Sequence, residues 1–406
     1  MTSTLTATST GVPAGPGRDW RLLLGAGTVS MLGDGAFLAA LPLLATTMTA
    51  DPRLIAGVTV CGTLPWLLAA LPVGALADRH DARRTMALAQ TAQAALVAAL
   101  AVAVTARADG MALLYAVAFA VGLAETVAHI SFQKLVPAVV PAAHLEAANG
   151  RHNAAMFTTR QFLGPPLGAL LFTVATALPF WVDALTFAAS AVLVWRIRAA
   201  TPPAARAPLR AGIAEGVRWL AAHRLLRTLS LLSGVANLAN FLAMATFVLF
   251  AQQVLGVGEV GYGVVLSLMA LGGITGGLLA PRLVARLGGR RAVTGTLFAT
   301  PLAMLAVAGL ARDVPTMAVL AFVTSFGASL WNVAAGSLRQ RTVPAALLGR
   351  VSSVGLMVTW GAQPLGAYLG GLTATWWGLL APWIVAALLR LAAALAALPT
   401  LRRWPS

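Results

Sequence analysis

Residues Gly74 to Arg84 read GALADRHDARR. This stretch decides the fold. It is a charged island that opens on a glycine and divides two long apolar runs, and it holds Asp78, Arg79, Asp81, Arg83 and Arg84. If the flanking runs cross a bilayer, the island must be a water-exposed turn. Hydrocarbon offers no partner to charged side chains or to open backbone.

The composition requires such a solvent. Of 406 residues, 59% are hydrophobic and only 10% are charged, and the mean hydropathy is +0.83. A soluble domain carries about 25% charged residues. The net charge is +16, from 28 Lys and Arg against 12 acids. The bases are scattered between apolar runs rather than gathered in a patch, which argues against nucleic acid as a partner. The single cysteine, Cys61, permits no internal disulfide and reads as a small apolar filler. The uncharged Ser-, Thr-, Pro- and Gly-rich start has no positive n-region, so it reads as a disordered cytoplasmic tail and not a signal peptide. The sequence shows no cofactor fingerprint, no metal-ligand spacing and no nucleophile–base pair. Neither a cofactor, a metal nor an enzyme is expected.

A spanning helix needs about 20 apolar residues. That window predicts twelve, near 20–47, 54–77, 84–105, 111–133, 152–176, 178–196, 227–253, 261–282, 291–311, 315–337, 350–374 and 377–401. Charge supports the count. With the N-terminus inside, the tails and inner connections hold twenty-three Lys and Arg, and the outer loops hold only Arg53, Arg107 and Arg312. The positive-inside rule then places both termini in the cytoplasm of a cell-membrane protein.

The longest polar break, 197–226, opens with Pro202, Pro203 and Pro208. Leu209, Ile213, Val217 and Leu220 follow at helical spacing. They predict an amphipathic helix on the inner surface, or else an early start to the seventh span. The expected organisation is a tail (1–19), a six-helix bundle (20–200), a linker (201–226) and a second six-helix bundle (227–406). The halves repeat in sequence. Ser131…Pro137, Gly150-Arg151 and Pro166-Leu-Gly168 are matched by Ser337…Pro344, Gly349-Arg350 and Pro364-Leu-Gly366. Parallel repeats of this kind put a substrate site near the midplane between them.

The opening loop resembles the helix 2–3 loop of the major facilitator superfamily, G-x-L-x-D-R-x-G-R followed by a basic residue. Gly74, Leu76, Asp78, Arg79 and Arg83 match, whereas Asp81 and Ala82 depart from it. Leu32-Gly-Asp-Gly35, Ala124-Glu-Thr126, Gly164-Pro-Pro-Leu-Gly168 and Arg339-Gln-Arg…Pro344…Gly349-Arg350 resemble the drug:proton antiporter branch. That branch includes macrolide and enterobactin efflux proteins. The resemblance implies an all-α transporter of twelve helices, with Gly74, Asp78, Arg79 and Arg83 as a gating motif. It also implies a helix-5 element, Gly164, Pro165 and Gly168, at the interface between halves. A plain proline kink is the simpler reading of that element. A solvated turn is the simpler reading of Asp78.

Three ionisable residues are candidates for proton coupling or substrate contact. Asp34 lies about 21 Å along a helix from Trp20, between Gly33 and Gly35, where an ionised carboxylate is costly. A structural hydrogen bond to a neighbouring backbone is its other reading. Glu125 is the second intramembrane acid. His129 lies one turn on, so the two either pass a proton or satisfy each other. Arg160 is the expected positive partner of Asp34 or Glu125. The fourth helix lacks the arginine that many drug antiporters carry there. Asp183 reads as a cap or interface contact, and Arg390 as snorkelling to the inner surface.

Asn237, Asn240, Asn332 and Gln363 are polar cavity candidates, joined by Trp331 and Trp360 for stacking. A cavity so apolar suits a bulky amphiphilic small molecule. The expectation is a monomeric carrier in the lipid bilayer, exchanging protons for a drug, antibiotic or siderophore. A flippase or uptake carrier of the same fold, and a non-transporting scaffold or sensor, are the alternatives.

Overall fold

The computed structural model describes residues 17–77, 80–141, 144–199 and 209–402. Asp78 and Arg79 lie outside the described residues. The spans of the first half begin with α1 (Arg18–Met48), α2 (Pro52–Ala77), α3 (Ala82–Thr105) and α4 (Met111–Val139). The fifth is built from α5 (Leu145–Met156), a π-helical segment (Phe157–Leu163) and α6 (Gly164–Val174), and α7 (Leu178–Trp195) is the sixth. A separate helix, α8 (Leu209–Ala222), precedes the second half. There the first span is α9 (Arg224–Met244) continued by α10 (Phe247–Gln253), followed by α11 (Glu259–Leu287) and α12 (Gly289–Leu310). The last three are α13 (Val314–Thr342), α14 (Ala345–Trp377) and α15 (Ala381–Arg402).

Ten of these helices are long and apolar enough to cross a membrane. The broken run Leu145–Val174 and α14 bring the spans among the described residues to twelve. The helices are apolar on all sides because both of their environments are apolar. Leu88, Leu185 and Leu278 are each more than 60% exposed on the outer surface of the bundle, where lipid would meet them. The polar residues turn inward.

Side-chain caps start the helices where the chain leaves the spans. Asp81 accepts from the backbone N–H of Arg83 (2.8 Å) at the head of α3, and Asp313 accepts from Thr316 (2.8 Å) at the head of α13. Asp51 does the same for Arg53 (2.9 Å) at the head of α2. Its hydrogen bonds with the Arg53 side chain and backbone hold its carboxyl below the usual range. Asp19 accepts from the backbone N–H groups of Arg198 (3.0 Å) and Ala199 (2.9 Å), tying the ends of α1 and α7 together.

The two halves pack alike. The first pairs α1 with α6 and α7, α2 with α4, and α3 with α4 and α7. The second repeats this as α9 with α14 and α15, α11 with α13, and α12 with α13 and α15. Glycines spaced by four make the closest contacts. In α6, Gly164 and Gly168 lie on the backbone of Gly35 and Ala36. At the equivalent contact in α14, Gly366 and Gly370 lie on the carbonyls of Leu238 and Leu242. Gly272 and Gly276 seat α11 on Phe322 and Phe326 of α13. Such small residues let helix backbones approach where lipid supplies no hydrophobic drive.

The halves meet chiefly through α2 with α14 and through α6 and the π segment with α11. Gly371 packs on Pro52, Arg53 and Ala56, and deeper in, Trp66 meets Trp360 edge-on at 4.1 Å. Gln252 donates to Thr46 at 3.3 Å. These contacts run from the arginine-poor face to about the middle of the spans.

A Cβ at Gly168 would strike the backbone of Ala36, whereas one at Gly295 meets nothing within 4 Å. Gly168→Leu should therefore cost at least about 2 kcal/mol, and Gly295→Ala should be neutral or slightly stabilising. Thermal unfolding of the detergent-purified protein would read both.

Candidate functional site

The π segment sits directly before Gly164-Pro165-Pro166. Pro165 and Pro166 have no N–H, so the carbonyls four residues earlier lose their helical donors. The ladder widens, and Gly164 N–H bonds to Thr159 O, five residues back. Sequence reading foresees a kink here, but not this wider turn. The carbonyl of Phe162, orphaned by Pro166, accepts instead from Ser267 Oγ of α11 at 2.7 Å. Gly263, a turn earlier, lies 2.8 Å from Pro165 O, measured from where its Cβ would be. The helix-5 element is thus seated on the opposite half.

The wide turn also sets Arg160. Its carbonyl lies against Gly35, and its side chain reaches Glu125 of α4, with Nη2–Oε1 at 2.7 Å. Asp34, between the two packing glycines, lies within electrostatic reach of both. A cavity of ≈ 70 Å³ collects Asp34, Glu125, Arg160, His129 and His152 with Gln90 and Gln93 of α3. Glu125 and Arg160 keep about a quarter of their side-chain surface exposed (26% and 27%), so the pair is reachable from the cavity.

Several sequence expectations need correction. Glu125 and His129 do not satisfy each other, because the π turn presents Arg160 as the stronger partner. His129 instead lies 2.9 Å from the Gln133 amide nitrogen, with its ring against both Trp66 and Trp360. Trp360 packs against Trp66 across the halves instead of lining an open cavity. Of the two readings of Asp183, the cap fails and the interface contact holds: it is fully buried inside α7, accepts from Thr186 Oγ1 (3.2 Å) and packs on Gly33 of α1, and its Oδ2 has no partner. Its contact Gly33 is the residue before Asp34. Arg390 does not reach the inner surface but lines two cavities of the second half.

Other candidates gather as a group. Asn237, Asn240, Trp331 and Asn332 all line one cavity of ≈ 190 Å³ in the second half. Trp331 Nε1 donates to Ser233 Oγ at 3.1 Å, and the Asn237 amide donates to Ser233 O at 3.2 Å. Gln363 lines none of the cavities described. Gly74 lies in α2, and Arg83 donates through Nη1 to Ile197 O at 2.8 Å, inside its own half. Gln90, Gln93, Trp66 and His152 were not foreseen. Only their clustering in space distinguishes them from ordinary helix residues.

The Glu125–Arg160 pair yields a prediction. Removing one partner leaves a poorly solvated charge, so Arg160→Gln should cost about 2 kcal/mol at this partial exposure. Adding Glu125→Gln should restore most of that loss, as a double-mutant cycle of thermal midpoints would read.

The Major Facilitator Superfamily profile matches residues 23–359. The multidrug efflux pump Tap of Mycolicibacterium fortuitum is 29% identical over 366 residues, covering 86% of this chain and 88% of Tap. Among solved structures, a mutant form of the nucleoside transporter NupG matches with TM-score 0.77 at 12% identity, covering 94% of this chain and 99% of that one. A bacterial homologue of the human lysosomal transporter Spinster, inward-facing and unoccupied, matches with TM-score 0.72 at 14% identity, covering 97% and 96%.

Proposed function

From the premise that this chain belongs to the major facilitator superfamily, we propose that it exports a hydrophobic or amphiphilic small molecule in exchange for protons. The observation that carries the reading is the set Asp34, Glu125 and Arg160 in one cavity, two acids against one guanidinium. With both acids ionised the set holds one excess negative charge, and a single proton neutralises it. Neutrality lowers the cost of keeping the set in a closed, dry cavity, and a second cation or a proton can supply it. An exporter needs this exchange: the set binds a proton while open outward and releases it while open inward, where cargo is taken up. Similarity to an efflux pump over most of both chains supports the direction.

The chain then lies in the cell membrane with both termini cytoplasmic. Asp34 is the preferred proton carrier. Asp78 and Arg79 serve the gate at the cytoplasmic face. The protein acts as a monomer, as a carrier and not an enzyme. Alternating access comes from rocking of the halves about the central cavities.

Everted vesicles with an acid interior test the exchange. Adding lipophilic cations, macrolides or siderophores should dissipate the gradient for wild type, and Asp34→Asn should abolish the response. A response that survives this change moves the proton to Glu125 or Asp183. Silence across the panel counts against antiport. Orientation has its own test in a Cys61→Ala background. An impermeant maleimide on intact cells should label Arg312→Cys and spare Arg290→Cys.

A further inference from the structure

Arg390 stands nine residues into α15, about 14 Å from its start and near mid-span. Among the described residues it makes no ion pair and no hydrogen bond. The contrast with Arg160, paired to Glu125, is plain. The second half cannot supply a match. Beyond Arg224 the sequence holds only two acids, Glu259 and Asp313. Both stand at the heads of their helices on the arginine-poor face, and Asp313 is engaged by Thr316. A guanidinium at this depth without a counter-charge is costly, so the missing charge must come from outside the chain.

The surroundings suit an incoming anion. Arg390 borders the ≈ 190 Å³ cavity, where Asn240 and Asn332 are exposed and make no hydrogen bond among the described residues. On its other side is Thr300, 1% exposed, whose Oγ1 has no partner and which lines the small adjoining cavity with Arg390. The guanidinium fork and the two free amides match the several acceptor oxygens of a carboxylate or phosphate, with the Thr300 hydroxyl on the far side of Arg390. The rest of the wall mixes Ser233, Asn237, Thr324 and Ser325 with adaptable apolar residues, Met269 and Trp383 among them.

We propose that the second-half cavity is an anion-recognising subsite, in which Arg390 holds the acidic group of an amphiphile while its apolar body lies on the methionine and tryptophan wall. This rests on the export reading and narrows its cargo to molecules that carry a carboxylate or phosphate. The first half then handles the proton and the second half the cargo's charge.

Matched probes test it. The full chain in nanodiscs of zwitterionic lipid is titrated with 1-pyrenebutyrate and with its methyl ester, read by energy transfer from tryptophan to pyrene. Wild type should bind the carboxylate about tenfold more tightly than the ester. Arg390→Gln should erase that preference, and Arg390→Lys should keep part of it. Equal binding of the two probes, binding of neither, or a preference that survives Arg390→Gln overturns the proposal.

Because an unpaired charge burdens the empty protein, Arg390→Gln should keep or raise the thermal midpoint. A sharp fall would reveal an internal counter-charge and also overturn it. Phosphatidylglycerol in the nanodisc and inorganic phosphate in the buffer separate the sources. Competition by the lipid alone gives the subsite to a headgroup, and competition by neither gives it to cargo. Binding is read here without a gradient. Failed proton exchange therefore leaves the result standing, and equal probe binding leaves antiport standing.

Discussion

A carbonyl that loses its helical donor inside hydrocarbon must find another, and that constraint shapes the centre of this molecule. Pro166 strips the donor from Phe162, and Ser267 of the opposite half replaces it at 2.7 Å. The same two prolines widen the preceding turn. That turn sends the Arg160 side chain to Glu125 and lays its backbone on Gly35. One local defect therefore does three things. It joins the halves, it assembles the charged cavity, and it brings α1 close enough for Asp34 to share that cavity. Gly35 and Gly164 are required because the two backbones meet there without room for a Cβ.

The pseudo-symmetry of packing is not a symmetry of charge. Both halves repeat the same helix pairs, yet the first gathers Asp34 and Glu125 around Arg160, while the second holds Arg390 among neutral amides. Packing depends on small residues at fixed spacing, which both repeats keep. Charge depends on single side chains, which each half has replaced separately. A shared scaffold with unlike cavities lets one half differ chemically from the other without disturbing the fit between them.

Most of the architecture was legible in the sequence, since apolar run length and arginine placement are direct consequences of the lipid solvent. Gly150-Arg151 with Pro166-Leu-Gly168, matched by Gly349-Arg350 with Pro364-Leu-Gly366, announced the repeat. Partner choice was less legible. Glu125 and His129 are neighbours on a helix surface, but the π turn brings a stronger partner from another span, and wide turns carry no pattern beyond the prolines that follow. Trp360 could not be told from a cavity residue until Trp66 was placed against it. Arg390 was misjudged because snorkelling is judged by a residue's own helix, whereas its actual setting is made by α9, α12 and α13.

The linker helix α8 has a mechanical consequence. It is fastened to the second half, with Glu215 paired to Arg350 and Gly216 seated on the Arg350 carbonyl. The first half, in turn, is held as far as Ala199 by Asp19. Only the stretch from Ala199 to Leu209 is left to span the gap, and its fully extended reach is about 35 Å. That strap is a hard stop. However the two bundles swing, the points it joins cannot part farther than its length, so the chain itself limits how far the arginine-rich ends of the bundles can separate.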